Sequence, residues 1–348
     1  MSGSARARIQ RRQLLVVGLI VIVIVPIFNV LTAEATWGSA VHGMLDAVLI
    51  TLAVGGYLMF VRDGWLRRRF RSLGFAVALA INSVVVLALF LLCRAVGQVV
   101  MTLQPRRFLT SFGDAHLVYA LPFFVALAVT VQFVLQMNRM IGADVLRYWV
   151  QGVYHQPRRE ERLFLFLDLE GSTQLAERLG SATYFRLLRR FVDDLTEPVL
   201  DCEGEIYQYA GDEVVLTWPQ DRGVHRANCV RCFFAIRQAI DARAAAYRRD
   251  FAVVPRFRGG LHGGTVTAGQ LGDLRQQIVF VGDILNTAAR LEEYAKRTGR
   301  DLVASGEVLQ RLILPAGVVA ERCGELELRG KEARVTAYAL SGALADGS

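Results

Sequence analysis

The sequence predicts a helical membrane bundle followed by an α+β domain, and three observations carry that prediction. A length of 348 residues suits about two domains. Apolar residues make up 53% of the chain, and they are concentrated in residues 1–138. Beyond them the order is strand, helices, paired strands, helix and further strands, which implies a sheet with helices on one face.

Four apolar stretches, Leu14–Thr32, Val41–Val61, Leu73–Cys93 and Leu117–Met137, each have about the 20 residues that a bilayer core requires. Arginines fix their direction. Arg6, Arg8, Arg11 and Arg12 precede the first stretch, and Arg62, Arg67, Arg68, Arg69 and Arg71 separate the second from the third. Residues 33–40 carry no Lys or Arg, and Arg106 and Arg107 in the other outer loop are two against nine. The N-terminus and residues 139–348 are therefore expected on the cytoplasmic side of a bacterial-type inner membrane, with a multi-pass anchor. Ala33-Glu34-Ala35 resembles a signal-peptide cleavage site, but the preceding apolar run exceeds the usual length of about 7–15 residues. A retained span is expected.

His42, Asp46, Arg94 and His116 fall near the outer ends of these helices. Ionisable residues inside a bundle are functional candidates, so the four form a candidate sensor for an unidentified ligand or ion, the histidines being candidate metal or haem ligands. The plainer reading, which weighs more, is interfacial side chains facing headgroups and water.

The net charge of +8 comes mostly from arginine. Its densest clusters flank apolar spans, so lipid orientation explains them and no nucleic-acid partner is expected. Five cysteines, Cys93, Cys202, Cys229, Cys232 and Cys323, make no even secreted framework. Cys229 and Cys232 have zinc-knuckle spacing without a second pair, and core packing is the better reading.

Residues 139–162 read as a helical linker, with Leu146, Trp149, Val150 and Val153 on one face and Pro157 with the charged run Arg158–Arg162 closing it. Leu163–Thr173, LFLFLDLEGST, reads as a buried strand ending on Asp168, followed by residues suited to turning around an anion. Tyr207–Trp218, YQYAGDEVVLTW, reads as a hairpin presenting Asp212. If the two strands are neighbours, their carboxylates suit hard divalent cations against a polyphosphate. Between them lies a helical region, Leu175–Leu200, broken near Gly180. A long helix is expected over Arg226–Arg248, then strands at Arg256–Ala268 and Gln276–Val281 joined at Gly272-Asp273. A helix capped by Asp283 runs to about Lys296, and a strand near Leu302, a helix near Val308 and a hairpin turning at Gly330-Lys331 complete residues 163–342. Residues 343–348 are a tail.

The segments FLFLDLEGST, YQYAGDEVVLTW, GLHGGTVTAG, VGDILNTAARLEEYA and ELRGKEARVTAYAL, in that order and spacing, resemble the catalytic domain of class III adenylate/guanylate cyclases over roughly Leu163–Leu340. The resemblance implies a ferredoxin-like, palm-type α+β fold. It also implies two Mg²⁺ or Mn²⁺ ions per site, held by Asp168, the carbonyl of Leu169 and Asp212, with main-chain amides of Glu170, Gly171, Ser172 and Thr173 around phosphate. Asn286 and Arg290, four apart on one helical face, match the pair that acts on the transition state, and Lys331 matches the phosphate-binding lysine. In such cyclases the metal aspartates and the Asn, Arg and Lys come from opposite subunits, so a head-to-tail homodimer is implied.

At the base pocket Gln208 stands where adenylate cyclases have Lys, and Val279 where they have Asp or Thr. A glutamine amide both donates and accepts, so it can contact N1 of adenine or turn over to suit guanine. ATP is expected partly because adenylate cyclases prevail among bacterial-looking architectures that resemble this one, with GTP as the alternative substrate. AGDEV also resembles the GGDEF signature of diguanylate cyclases, for which the Asn286–Arg290 helix is unexpected. A catalytically dead membrane receptor is the alternative from another class.

Overall fold

The computed structural model describes residues 5–32, 37–58, 74–102, 116–141, 148, 151–273, 276–327 and 334–344. The chain forms two compact units, one of residues 7–151 and the other essentially of residues 152–348.

The first unit contains α1 (Ala5–Thr32), α2 (Trp37–Gly56), α3 (Phe75–Thr102) and α4 (His116–Ile141). They meet around Val25, Ala47, Ile50, Phe90 and Phe124. Their outer faces are equally apolar: Leu19, Leu31, Leu52 and Val84 are exposed. A helix apolar on all sides is suited to an apolar solvent. Among the described residues, Phe75–Val100 alone is long and apolar enough to cross a bilayer unaided, at mean hydropathy 2.7. Gly18–Phe28, Gly43–Gly56 and Leu121–Met137 are shorter apolar segments. The third helix continues past the expected end at Cys93 to Thr102, which corrects the place of Arg94 from a helix end to a buried position. The apolar sequence resumes after Arg94 through Ala95, Val96, Val99 and Val100 with no proline to stop the helix, and Asp46 is buried beside it, where a Cβ on Gly97 would collide with its side chain. The side chains of His42 and His116, and the arginines of residues 59–73 and 103–115, lie outside the described residues.

In the second unit the sheet begins earlier than the apolar pattern suggests. β1 is Arg158–Leu169, so the charged run is strand and not the close of a helical linker. Its charges are satisfied within the sheet, where Arg162 bonds to Glu160 and Glu205, each at 3.0 Å. Residues 151–156 make turns, and the expected helical face at Leu146, Trp149 and Val150 lies outside the described residues.

After β1 come α5 (Ser172–Leu179), α6 (Ser181–Asp201), β2 (Glu205–Ala210), β3 (Glu213–Pro219), α7 (Gln220–Val224), α8 (Asn228–Asp241) and α9 (Ala244–Phe251). The chain continues through β4 (Phe257–Leu271), β5 (Gln277–Val281), α10 (Asp283–Thr298), β6 (Leu302–Ser305), α11 (Gly306–Leu309), β7 (Val318–Glu327) and β8 (Arg334–Gly342). The helix expected over Arg226–Arg248 is two helices. Arg226 and Ala227 have positive φ before the first, and the break at residues 242–243 lets Arg243 and Tyr247 both reach Asp194. Asp283 is the first residue of α10, and Gly282 occupies the cap position assigned to it.

The strands lie in the order β2-β3-β1-β4-β6-β8-β7, with β5 also on β4. Only β4 and β6 run parallel; the other neighbours are antiparallel. Helices cover both faces, which corrects the one-face expectation. Leu163, Leu165 and Leu167 pack with Leu187, Phe191 and Leu195 of α6 and with Phe233 and Ile236 of α8. On the other face Val303 packs with Leu291 and Ala295 of α10. Two glycines in β4 explain the close fit: Gly259 meets Leu side chains of the first layer, whereas Gly260 lies directly against the backbone of α10.

Candidate active site

Alternation along β1 puts Asp168 on the same face as Phe164 and Phe166, and the β2–β3 turn brings Asp212 within hydrogen-bonding reach of it. The expected neighbour relation holds, because β1 pairs β3 in register from Arg162↔Pro219 to Leu167↔Val214. The C-terminal end of α10 closes over these acids. Lys296 Nζ donates to Asp168 at 2.7 Å, and Arg258 donates to Glu170 at 3.1 Å and to the Lys296 carbonyl at 2.8 Å.

Charge in this cleft is unbalanced towards the negative. Burial raises the Asp168 carboxyl above its ordinary value, Lys296 opposes the rise, and Asp212 adds to it. Glu213 is raised by burial and then by Asp168 and Asp212. Glu292 is pushed up to about 7, chiefly by burial, with Asp168 adding to it. Tyr184 is raised by burial and then by Asp212, with Ser172 as its hydrogen-bond partner. Added positive charge would favour the ionised form of these carboxyls, as Lys296 does at Asp168. Among the described residues no group of three or more His, Cys, Asp or Glu side chains forms a closed metal cage. Two carboxylates and a nearby carbonyl are the open kind of set that substrate phosphates complete around Mg²⁺.

Gly171, in the left-handed conformation at φ 64°, turns the chain into α5. The amides of Gly171, Ser172 and Thr173 open that helix, where N–H groups lack internal partners. Glu170 does not join them, contrary to expectation. Its N–H donates to the Arg256 carbonyl at 2.8 Å, and its carboxylate is paired with Arg258.

Asn286 is exposed and Arg290 half-buried on α10. At a rise of about 1.5 Å per residue they stand about 15 and 9 Å along the axis from Lys296, and at least roughly 80° around it. They therefore do not converge with Asp168 and Asp212 inside one chain. Gln208 is exposed on β2 and Val279 half-buried on β5, and the adjacent Tyr207 and Phe280 rings touch at 5.1 Å between centroids. Lys331 lies outside the described residues.

The sequence model of the family described as adenylate and guanylate cyclase catalytic domain matches residues 154–342, more than half of the chain. This chain is a member of that family. Beyond the family match, the chain is 40% identical over 225 residues to "Adenylate cyclase 2" of Rhizobium meliloti (strain 1021), covering 65% of this chain and 61% of that relative. It is 31% identical over 154 residues to "Adenylate cyclase 1" of the same organism, covering 43% of this chain and 23% of the other. The chain thus spans about three-fifths of the first relative's length and less than a quarter of the second's. The fold of a bacterial light-regulated adenylyl cyclase superposes with a TM-score of 0.55 at 19% identity, covering 65% of this chain and 66% of that one.

Sequence reasoning missed Glu292, Lys296, Arg258 and Tyr184 in the candidate site. The first two carried a signal, since their i,i+4 spacing on an amphipathic helix places both on one face. Nothing local marked Arg258 or Tyr184.

Proposed function

We propose that this chain is a membrane-anchored adenylate cyclase that converts ATP to 3′,5′-cyclic AMP and pyrophosphate at sites shared between two subunits. The observation that carries the reading is the placement of α10. Its C-terminal end touches the chain's own acid pair, while Asn286 and Arg290 stand about 15 and 9 Å further along the helix. A second copy arranged head-to-tail brings the missing guanidinium to each acid pair and gives two equivalent sites.

Within such a site Asp168, Asp212 and the Leu169 carbonyl would hold two divalent cations, Mg²⁺ or Mn²⁺, and the amides of Gly171 to Thr173 would hold phosphate oxygens. Bound there, the cations would supply Lewis acidity towards the ribose 3′ hydroxyl and positive charge for the departing pyrophosphate. Asn286 of the other subunit orients the ribose, Arg290 donates to the α-phosphate as its charge grows, and Lys331 binds the leaving phosphates. Gln208 contacts the base. The preference for ATP is supported by likeness to a relative named as an adenylate cyclase, and the Gln208 amide is compatible with adenine. The apolar outer faces of α1 to α4 support embedding as a multi-pass anchor, and the arginine distribution supports a cytoplasmic cyclase domain. Through its link to this anchor, the membrane unit regulates how the two catalytic halves meet.

The test is to incubate the purified full chain with Mn²⁺ or Mg²⁺ and either ATP or GTP, and to identify products by mass. Cyclic AMP is expected; a cyclic dinucleotide or no product overturns the assignment. Asp168→Ala and Arg290→Ala chains should each be inactive. Mixed equally, they should recover about a quarter of wild-type activity, because half the dimers carry one intact site of two. No recovery in verified mixed dimers refutes shared sites.

A further inference from the structure

We infer that Tyr207 is a positioning residue for nucleotide selectivity, through a β-bulge that turns Gln208 onto the face bearing Asp168; this rests on the cyclase reading above. Strand β2 pairs β3 with Ile206 opposite Leu216 and Gln208 opposite Val215, so Tyr207 is the extra residue between two regular pairs. Residues directly opposite in an antiparallel pair share a face. Val215 is opposite Phe166 of β1, on the Asp168 face, so Gln208 lies on that face too.

Without the bulge Gln208 would stand opposite Val214. Val214 is opposite Leu167 and belongs to the core beneath α6 and α8. The amide would then point into an apolar layer, away from any nucleotide. A one-residue slip reverses every side chain on a strand, and the extra residue here supplies that slip locally.

The bulge is held from the side. The Tyr207 ring packs edge-on against Phe280 at 5.1 Å and against Phe164 at 6.2 Å. Its hydroxyl accepts the Phe280 N–H at 3.4 Å, and Phe164 and Phe280 meet at 5.6 Å. Beneath them the buried Arg162 guanidinium stands 4.5 Å from the Phe280 ring centre, fixed by Glu160 and Glu205. Glu205 opens β2, and Phe280 directly follows Val279. The cluster therefore ties the bulge in β2 to β5 and to the Arg162 ion pairs, holding the Gln208 amide on the Asp168 face.

The experiment compares kcat/KM for ATP and GTP in the full chain and in Tyr207→Leu, Tyr207→Phe, Gln208→Ala and Tyr207→Leu/Gln208→Ala variants. In Tyr207→Leu the ATP:GTP ratio should move by about tenfold, mainly through KM. Tyr207→Phe keeps the ring contacts and should move it less, about twofold to threefold, and it decides the matter if the Leu variant fails to fold. On a Gln208→Ala background, Tyr207→Leu should leave the ratio where Gln208→Ala put it, because the tyrosine acts through that amide. An active wild type whose ratio is unmoved by either Tyr207 variant, or additive effects in the double variant, overturns the inference alone. A wild type that makes no cyclic nucleotide overturns the cyclase reading, and the inference falls with it.

Discussion

Replacing Gly260 by alanine should lower stability and catalysis together. The backbone there is unstrained for any residue, so the only obstacle is space. A Cβ would stand 2.8 Å from Glu292 Cα and closer still to the Ala288 carbonyl and the Glu292 amide, all backbone atoms of α10. Carbon contacts settle at about 3.5–4.0 Å, so the helix must retreat by about 1 Å. Overpacking of this kind costs about 1–3 kcal/mol, partly offset by about 0.5 kcal/mol from the stiffer unfolded chain. For a unit of this size that is a fall in Tm of roughly 1–10 °C. Because α10 also carries Asn286 and Arg290, a shift of about 1 Å should reduce kcat on the order of a hundredfold. Gly259→Ala is the control, since its Cβ would meet only the ends of Leu165, Leu302 and Leu167 at 3.1–3.2 Å, on the other face. Scanning calorimetry and a cyclic-nucleotide assay on the same preparations provide both readouts. A Gly260→Ala protein with unchanged Tm and turnover would refute the claim that this contact seats the helix.

Two further outcomes follow from the electrostatics and the cysteines. Glu292 is held near 7 in the folded chain, above its ordinary 4.5, so its favourable contribution is complete below about pH 4.5 and is lost as pH rises through about 7. In metal-free protein, Glu292→Gln should flatten the decline in stability between about pH 5 and 8, by at most about 3 kcal/mol; equal slopes for both proteins in denaturant titrations would exclude this. Cys229 is fully buried and its thiol is pushed up to about 12, whereas Cys323 is partly exposed. Iodoacetamide at about pH 8 should therefore modify Cys323 in the native chain and reach Cys229 and Cys232 only after unfolding, as peptide mass mapping would reveal. Early labelling of Cys229 would contradict the core-packing reading.

The sequence was most informative where a local pattern coincided with a physical need. The apolar run ending at Asp168, the Gly-Asp turn at residues 211–212 and the four-residue spacing of Asn286 and Arg290 are all local features. What escaped prediction depends on contacts across long separations. Lys296 meets Asp168 across 128 positions, and no periodicity encodes that encounter. Charges misled at Arg158–Arg162, because a run that reads as solvated contains a buried arginine whose partners come from within the run and from β2. The irregularity at Tyr207 has neither glycine nor proline to announce it.

The uninterrupted β1 strand has a mechanical consequence. Its 12 residues run from the first charged position after Pro157 to the residue beyond Asp168, paired with β4 throughout and with β3 from Arg162 to Leu167. Sliding it lengthwise would require moving two residues at a time to keep inward side chains inward, while breaking both hydrogen-bonded ladders. A tug arriving at Arg158 is therefore not transmitted as a small displacement of one carboxylate; it must carry the entire sheet as a single body.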